Sequence, residues 1–241
     1  MPNHQQATAS EKVLTGRNEN RTLINGIMFI SSENSPPCFK DFTLVMPAVA
    51  VGNVGQLSVD LIVSTLNMSR VGYMHTDCLI PMTETTLYTA AELKLAVLQI
   101  RAPIIQSKSK KFRQLLVSWI KSSGFSRAVV LSSSQAYQRD DQQMKGIPLR
   151  YLVTPSLLKD SEDALKELSW REMERVSAYP EDVPLAVLIL FCSEGDNIPD
   201  AFTLVNHLND WLHLLDDPSQ KWKIPTSWNL LFGSGIPPAL F

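Results

Sequence analysis

With 241 residues, of which 44% are hydrophobic and 19% charged, the chain can bury one sizeable core, so a single domain is expected. The net charge of −2 disfavours nucleic acid or an anionic membrane as the main partner. No apolar run reaches the ~20 residues of a membrane span, and the widely spaced cysteines predict neither a disulfide framework nor a zinc site.

Residues 1–40 form a polar leader in which Asn, Ser, Thr and Gln are frequent and no hydrophobic period is sustained. This composition predicts disorder, because it cannot bury enough apolar surface to offset the entropy lost on folding. Within the leader, only residues 23–30 are typical of a strand, and two prolines after Ser35 predict a linker. We therefore expect a disordered extension, a folded domain over residues 41–232 and a flexible tail over residues 233–241.

The central unit of the chain is a predicted strand, tight turn and helix over residues 42–68. Ten nearly continuous apolar residues from Phe42 onward indicate a strand that is covered on both faces, as in a parallel sheet. Pro47 cannot donate to a strand ladder, so the regular strand is expected to end at Met46. The helix carries a wide apolar stripe. The pattern predicts an α/β fold in which helices flank a mixed, mostly parallel sheet.

Two glycines, Gly52 and Gly55, lie where this strand passes into the helix. Backbone N–H groups at such a position can bind an anion, so one hypothesis is a phosphate loop. The sequence GNVG lacks the Lys-Ser/Thr pair of a P-loop and the third glycine of a dinucleotide fingerprint. The alternative is structural, because glycine permits a sharp turn and close packing.

The other predicted strands are short apolar runs. They cover residues 71–76, 127–131, 151–153 and 185–192. A β-hairpin is predicted as an elaboration of the core, because residues 87–90 and 93–101 alternate approximately between apolar and polar positions around a short turn.

The clearest helix in the sequence has apolar residues at positions i, i+3, i+4, i+7 and i+8, and Gly124 provides its carboxyl-terminal stop. These apolar residues are Phe112, Leu115, Leu116, Trp119 and Ile120. Lys108, Lys110 and Lys111 precede the helix, and they form either a solvated helix start or a surface for an acidic partner.

Two further helices are predicted toward the carboxyl terminus. The first is short, lies between Pro155 and Pro180, and includes Met173 among its apolar residues. The second covers residues 198–215 and has a continuous apolar face.

Polar residues at the carboxyl ends of strands are where open α/β sheets usually bind ligands. Residues 132–134 are three serines that offer a nucleophile, but the G-x-S-x-G elbow is absent. Glu194 and Asp196 offer a general acid or a metal pair, although a helix cap explains them more simply. His207 and His213 lie roughly opposite each other on one helix, so they cannot share a metal there. We therefore expect no catalytic residue, no metal site and no cofactor.

The carboxyl terminus is rich in aromatic residues, with two tryptophans and two phenylalanines in residues 222–241 beside glycines and prolines. Such a segment is too short and too broken to form its own core, so it packs onto the domain or inserts into a partner. We expect residues 222–232 to pack onto the domain. For residues 236–241 both possibilities stay open.

Five separated stretches resemble the PAC2 family of proteasome assembly chaperones, and the resemblance extends from about residue 41 to the end. They are MPAVAVGNVGQL (46–57), the region from STLNMS to TDCLIPM (64–82), VVLSSSQAYQRDD (129–141), SEGDNIPDA (193–201) and KIPTSWNLLFGSGIPPALF (223–241). Matches of this length in five places make the resemblance specific.

The resemblance implies an α/β fold similar to that of nucleoside phosphorylases, without catalysis. It also implies a heterodimer with proteasome assembly chaperone 1 in the cytoplasm and nucleus. This heterodimer would support formation of the α-subunit ring of the 20S proteasome and hinder off-pathway ring dimers. Family tails can end in a hydrophobic residue, a tyrosine and any residue, and they enter pockets between α subunits. The matching residues here are Ala239, Leu240 and Phe241, with Leu240 in the tyrosine position. No nucleic acid or membrane partner is implied.

The chain departs from the family pattern at its start and in two loops. The family usually begins just before Phe42, and this chain is shorter than the pattern within residues 83–86 and 175–185. The alternative function is a nucleoside-phosphorylase-like or hydrolase-like enzyme that uses the loops at residues 132–134 or 194–196.

Overall fold

A computed structural model of the chain describes residues 20–32, 37–173 and 183–230, with the exception of residues 25, 142, 216 and 218. Within this part, ten strands form one sheet. They are β1 (Arg21–Ile24), β2 (Ile27–Ser31), β3 (Thr43–Pro47), β4 (Ser69–His75), β5 (Thr85–Ala90), β6 (Leu95–Gln99), β7 (Arg127–Gln135), β8 (Leu149–Val153), β9 (Arg171–Glu172) and β10 (Leu185–Cys192). Their order across the sheet is β1-β2-β4-β5-β6-β3-β7-β10-β8-β9.

Four neighbouring strands, β6, β3, β7 and β10, run parallel and form the centre of the sheet. On one side, β5, β4, β2 and β1 continue the sheet through antiparallel pairs. On the other side, β8 is antiparallel to β10, and the short β9 is parallel to β8. The predicted α/β fold with its mixed sheet is confirmed, and β5 and β6 form the predicted hairpin.

The helices of the described part cover both faces of the sheet. They are α1 (Val54–Thr65), α2 (Ser109–Ser123), α3 (Pro155–Glu167) and α4 (Ile198–Leu212). Helices α1, α3 and α4 pack on one face, and α2 packs on the other. Successive residues of β3 therefore enter different cores, with Val45 in the first and Leu44 and Met46 in the second. None of these helices is both long and apolar enough to cross a membrane.

The strongest helical pattern is confirmed by α2, which buries four of the five predicted apolar residues. They are Phe112, Leu116, Trp119 and Ile120. Gly124 follows the helix with a φ of 77°, in the left-handed region that glycine tolerates.

Helix α3 is shorter than predicted. It ends at Glu167, and Ser169 has a φ of 54°, which is incompatible with continuation of a right-handed helix. Met173 lies beyond the helix, where its backbone N–H donates to the carbonyl of Tyr151 over 2.8 Å. The inclusion of Met173 in the helix was therefore wrong, because its backbone extends the edge of the sheet.

Residues 20–32 are ordered, and the one strand predicted over residues 23–30 is a pair of strands, so the disorder predicted for most of residues 1–40 does not hold for this segment. Strands β1 and β2 form an antiparallel hairpin, and β2 pairs with β4. Ile27 and Phe29 alternate with less buried neighbours and enter the core beneath α2. The folded part therefore begins before residue 41, because the apolar pattern of this segment finds a strand partner more than 40 residues later. Residues 1–19 lie outside the described residues.

Candidate functional site

The four central strands end at one edge of the sheet, which we call the carboxyl edge. There β3 ends at Pro47, one residue later than predicted, in register with Leu131 of β7. Residues 48–53 then turn into α1, while residues 193–197 connect β10 to α4. A cleft of about 670 Å³ lies at these two loops. It is lined by Val49, Ala50, Val51, Gly52, Asn53, Leu57, Glu194, Gly195 and Asn197.

Gly52 and Asn197 bring the two loops of the cleft into contact. Gly52 has a φ of 62°, and a Cβ at this position would overlap the side-chain amide of Asn197. Asn197 is only 2% exposed, and its amide nitrogen donates to the carbonyl of Ser193 over 2.6 Å and to the carboxylate of Asp200 over 2.8 Å. Its amide oxygen accepts from the N–H of Gly195 over 3.1 Å. The space that a side chain would need at Gly52 is thus occupied.

Gly55 has a separate packing reason. A Cβ there would overlap the backbone carbonyl of Leu131 on β7, so this glycine lets α1 approach the sheet closely. Of the two hypotheses for the GNVG sequence, the structural one accounts for both glycines.

The middle serine of the predicted nucleophile loop is engaged in the fold. Ser133 is buried, and its hydroxyl donates to the carbonyl of Val51 over 2.5 Å. The thiol of Cys192 lies 3.9 Å from the same carbonyl, and burial raises the pKa of this thiol. A raised pKa keeps the thiol protonated and therefore a poor nucleophile. The arrangement ties the end of β7 to the loop before α1.

Of the second predicted polar pair, Asp196 binds the start of α4 and Glu194 does not. One carboxylate oxygen of Asp196 accepts from the backbone N–H of Ile198 over 3.1 Å, as the cap interpretation predicted. Glu194 lines the cleft and is exposed. In the described part of the chain, no group of three or more His, Cys, Asp or Glu side chains is arranged to hold a metal ion.

The two histidines predicted on one helix lie in different environments. His207 is half-buried, edge-on to Trp170, and its Nδ1 lies 3.6 Å from the carboxylate of Asp210. Burial lowers the pKa of His207, and Asp210 only partly offsets this effect. His213 is exposed and ends α4 with a φ of 51°.

Two of the three predicted basic residues have an acidic partner within the chain. Lys108 and Lys111 place their ammonium groups 3.0 and 2.9 Å from the carboxylate of Asp77. Lys111 and, next, Lys108 hold the pKa of Asp77 well below its usual range. Since Asp77 is 31 residues from Lys108, the local charge pattern gave no indication of the pair.

Asp60 is a residue that the sequence reasoning missed. Its buried carboxylate on α1 accepts from Gln99 over 2.5 Å, from Arg101 over 2.9 Å and from the indole N–H of Trp228 over 3.2 Å. The signal in the sequence was a single carboxylate within the apolar face of a buried helix. Such a group needs partners, because an unpaired buried charge is costly.

The aromatic carboxyl-terminal segment packs on the domain through residue 228. Trp222 and Trp228 are both buried, and the indole N–H of Trp222 donates to the side chain of Asn206 on α4 over 2.7 Å. The backbone N–H of Lys223 donates to Thr65 at the end of α1 over 2.8 Å. The predicted packing of this segment is confirmed for its two tryptophans.

The predicted partner-binding residues Ala239, Leu240 and Phe241 lie outside the described residues, as does the whole range 231–241. Their binding role stays a prediction. The described chain ends at residue 230, two residues after Trp228, which is held against α1.

Comparison with known proteins identifies close relatives. The model of the PAC2 family matches residues 44–213. Proteins named Proteasome assembly chaperone 2 from Danio rerio and Homo sapiens are 56% and 46% identical to this chain, and each alignment covers 89% of this chain and 100% of the relative.

Solved structures show the same fold at low sequence identity. Pyrococcus furiosus PbaA, an archaeal homolog of proteasome-assembly chaperone, has a TM-score of 0.61 and 13% identity, over 80% of this chain and 88% of that chain. A protein of unknown function from Thermoplasma acidophilum has a TM-score of 0.58 and 16% identity, over 75% of this chain and 78% of that chain. These two structures bear on the fold alone.

Proposed function

Because this chain belongs to the PAC2 family, we propose that it pairs with proteasome assembly chaperone 1 and supports formation of the α-subunit ring of the 20S proteasome. A role in proteasome assembly follows from the family and from named relatives that align along their whole length. We propose four further points. These are the heterodimer, the α ring as its target, the prevention of α-ring dimers and a location in cytoplasm and nucleus.

The observation that carries the proposal is the anchored start of the carboxyl-terminal tail. Trp222 and Trp228 hold the preceding segment on α4 and α1, so the described chain ends two residues after an anchored side chain. Eleven extended residues reach about 36 Å, which is enough to enter a pocket on a neighbouring protein. Pro237 and Pro238 restrict the chain before its last three residues and so lower the entropy lost on binding.

The direct test is purification of the tagged full-length chain from cells, with its partners identified by mass. We expect an equimolar complex with proteasome assembly chaperone 1 and co-purification of α subunits. A monodisperse monomer that shows no association with that chaperone at micromolar concentration would contradict the heterodimer. A fluorescent fusion tests the proposed location, which requires signal in both cytoplasm and nucleus.

The second candidate function is an enzyme, and the cleft at the carboxyl edge is the observation that favours it. We propose that the cleft is not catalytic, since the polar groups of Ser133 and Asn197 are used in hydrogen bonds within the fold, Ser133 with Val51 and Asn197 with Ser193. Ser133→Ala and Glu194→Gln should leave α-ring assembly unchanged when the variants are folded. Saturable phosphorolysis of nucleosides by the pure protein, abolished by either substitution, would establish the enzyme instead.

A further inference from the structure

The loop between β7 and β8 exposes three large apolar side chains. In this loop, residues 136–148, the exposed fractions are 80% for Tyr137, 62% for Met144 and 37% for Ile147. Tyrosine and methionine are enriched in protein interfaces, where their burial stabilises the complex. Three such side chains on one loop therefore indicate a surface for another protein.

The described residues of this loop are held in place by hydrogen bonds. The guanidinium of Arg150, which is itself only 3% exposed, donates to the carbonyls of Ile147 and Gln143 over 2.9 and 2.8 Å. The carboxylate of Asp140 accepts from the N–H of Gln143 over 2.7 Å, and the carbonyl of Asp140 accepts from the N–H of Met144 over 3.0 Å. A loop fixed in this way loses little conformational entropy when a partner binds.

The loop lies at the carboxyl edge. Strand β7 ends at Gln135 in register with Cys192, and β8 begins at Leu149 in register with Leu190. Val49, which follows β3 at the same edge, is 50% exposed. Because neighbouring strands lie about 4.8 Å apart, the ends of β3, β7, β10 and β8 lie within about 15 Å. We call Val49, Tyr137, Met144 and Ile147 together the edge surface.

The carboxyl-terminal segment runs toward this same edge. Helix α1 follows β3 and returns along the sheet, so its first residues lie at the carboxyl edge and Thr65 lies at the far end. Lys223 contacts Thr65, whereas Trp228 contacts Asp60, which is closer to the start of α1. The described chain therefore approaches the carboxyl edge before the tail begins.

We propose that the edge surface contacts a proteasome α subunit beside the pocket that receives the tail. This inference rests on the proposed function. Because the described chain approaches the carboxyl edge before it ends at residue 230, a receptor for residues 231–241 would lie against that edge, whereas a partner chaperone that does not bind the tail has no such constraint. The edge surface and the tail then bind the α ring at two points, and the second contact forms at high effective concentration.

The test uses the heterodimer with proteasome assembly chaperone 1 and measures its affinity for purified α subunits. The variant combines Tyr137→Ser with Met144→Ser, which removes apolar surface without changing charge. The matched control is Leu93→Ser, because Leu93 is 40% exposed in the turn before β6, at the opposite edge of the sheet. We expect the double variant to bind α subunits about ten-fold or more weakly, with the control within about two-fold of the wild type.

Thermal unfolding of each variant and its affinity for the partner chaperone should stay unchanged. If α-subunit affinity is unchanged in the double variant but falls when residues 239–241 are deleted, the edge surface is not a contact while the proposed function stands. Loss of heterodimer affinity in the double variant would assign the surface to the partner chaperone and overturn the inference. A wild-type heterodimer that binds no α subunit would contradict both the inference and the proposed function.

Hydrogen exchange provides a second measurement that needs no substitution. Residues 136–148 should gain protection when α subunits bind to the heterodimer, and residues 91–94 should not. Equal exchange of residues 136–148 with and without α subunits would contradict the inference.

Discussion

Asp60 is a buried carboxylate that accepts hydrogen bonds from three separate parts of the chain. Gln99 comes from β6, Arg101 from the loop after it, and Trp228 from the carboxyl-terminal segment. Hydrogen bonds to a charged group contribute about 1.5 to 3 kcal/mol each, more than hydrogen bonds between neutral groups. At the scale of residues, one side chain on α1 thus joins β6, the loop after it and the segment before the tail.

The contact between Trp228 and Asp60 can be tested by two substitutions. Trp228→Phe removes the indole N–H and should reduce the free energy of unfolding by about 1 to 3 kcal/mol. Trp228→Ala also removes the buried ring and should cost about 3 to 5 kcal/mol. Urea unfolding followed by circular dichroism measures both. Ile224→Ala, at a half-exposed position of the same segment, should stay within about 0.5 kcal/mol, and an equally small effect of Trp228→Ala would contradict the packing.

His207 should make the stability of the protein depend on pH. Because burial lowers its pKa in the folded state, the unfolded chain binds more protons near the ordinary histidine value of about 6.5. The free energy of unfolding should therefore fall as pH drops from about 7.5 to 5.5. His207→Gln should reduce this dependence, whereas His75→Gln, at an exposed position of β4, should retain it. Identical pH profiles for the wild type and His207→Gln would show that His207 is not responsible.

At the scale of elements, the loops before α1 and α4 form one unit. Gly52 leaves the space that Asn197 fills, and Ser133 on β7 donates to Val51 in the first loop. The two helices are joined as well, since the hydroxyl of Ser58 on α1 lies 3.2 Å from a backbone carbonyl of α4. The carboxyl edge is therefore a packed junction of two helix starts and two strand ends.

A double-mutant cycle tests the junction. Gly52→Ala should destabilise the protein by about 2 to 4 kcal/mol, because a Cβ adds overlap with Asn197 to the strain of the left-handed backbone. In an Asn197→Ala background, Gly52→Ala should reduce the free energy of unfolding by only about 1 to 2 kcal/mol, because only the backbone strain remains. Gly124→Ala is the control, because Gly124 has a φ of 77° and no atom within 4 Å of the added Cβ. A cost of Gly52→Ala that is the same in both backgrounds would disprove the coupling.

At the scale of the whole molecule, the sheet separates two hydrophobic cores in the part of the chain that the structure describes. Trp222 and Trp228 belong to the core beneath α1, α3 and α4, so the segment before the tail is part of the fold. Phe29 and Phe39 belong to the core beneath α2, so the amino-terminal segment closes the opposite face.

Deleting Ala239, Leu240 and Phe241 should weaken α-subunit binding by about ten-fold or more and leave the heterodimer intact. A charge-assisted contact of the terminal carboxylate contributes about 1.5 to 3 kcal/mol, and burial of Phe241 about 1.5 to 3 more, at about 1.4 kcal/mol per decade of affinity. Titration of the heterodimer with α subunits measures the loss. Addition of one glycine after Phe241 should weaken α-subunit binding less than the three-residue deletion does, because the apolar side chains of Leu240 and Phe241 are retained. Unchanged affinity would show that the tail is not an anchor, and equal loss of both affinities would show that it belongs to the fold.

The sequence by itself determined the class of the fold and most of its elements. Hydrophobic period predicted α2 from Phe112 to Ile120, and the apolar run from Phe42 followed by GNVG predicted β3 and α1. These features are local, since each depends on residues within a few positions along the chain. The five matching stretches also predicted the family, because they are long enough to be specific without any structure.

Only the tertiary structure decided the contacts between distant residues. Trp228 and Asp60 are 168 residues apart, and Ser133 and Val51 are 82 residues apart. The strand pairs that place residues 21–31 in the sheet are likewise distant from β4. No periodic pattern encodes which partner a buried carboxylate or a polar leader will meet, because that choice depends on how all elements pack together. The carboxyl edge, where Ser133 contacts Val51 beside the exposed loop after β7, is therefore a property of the folded chain.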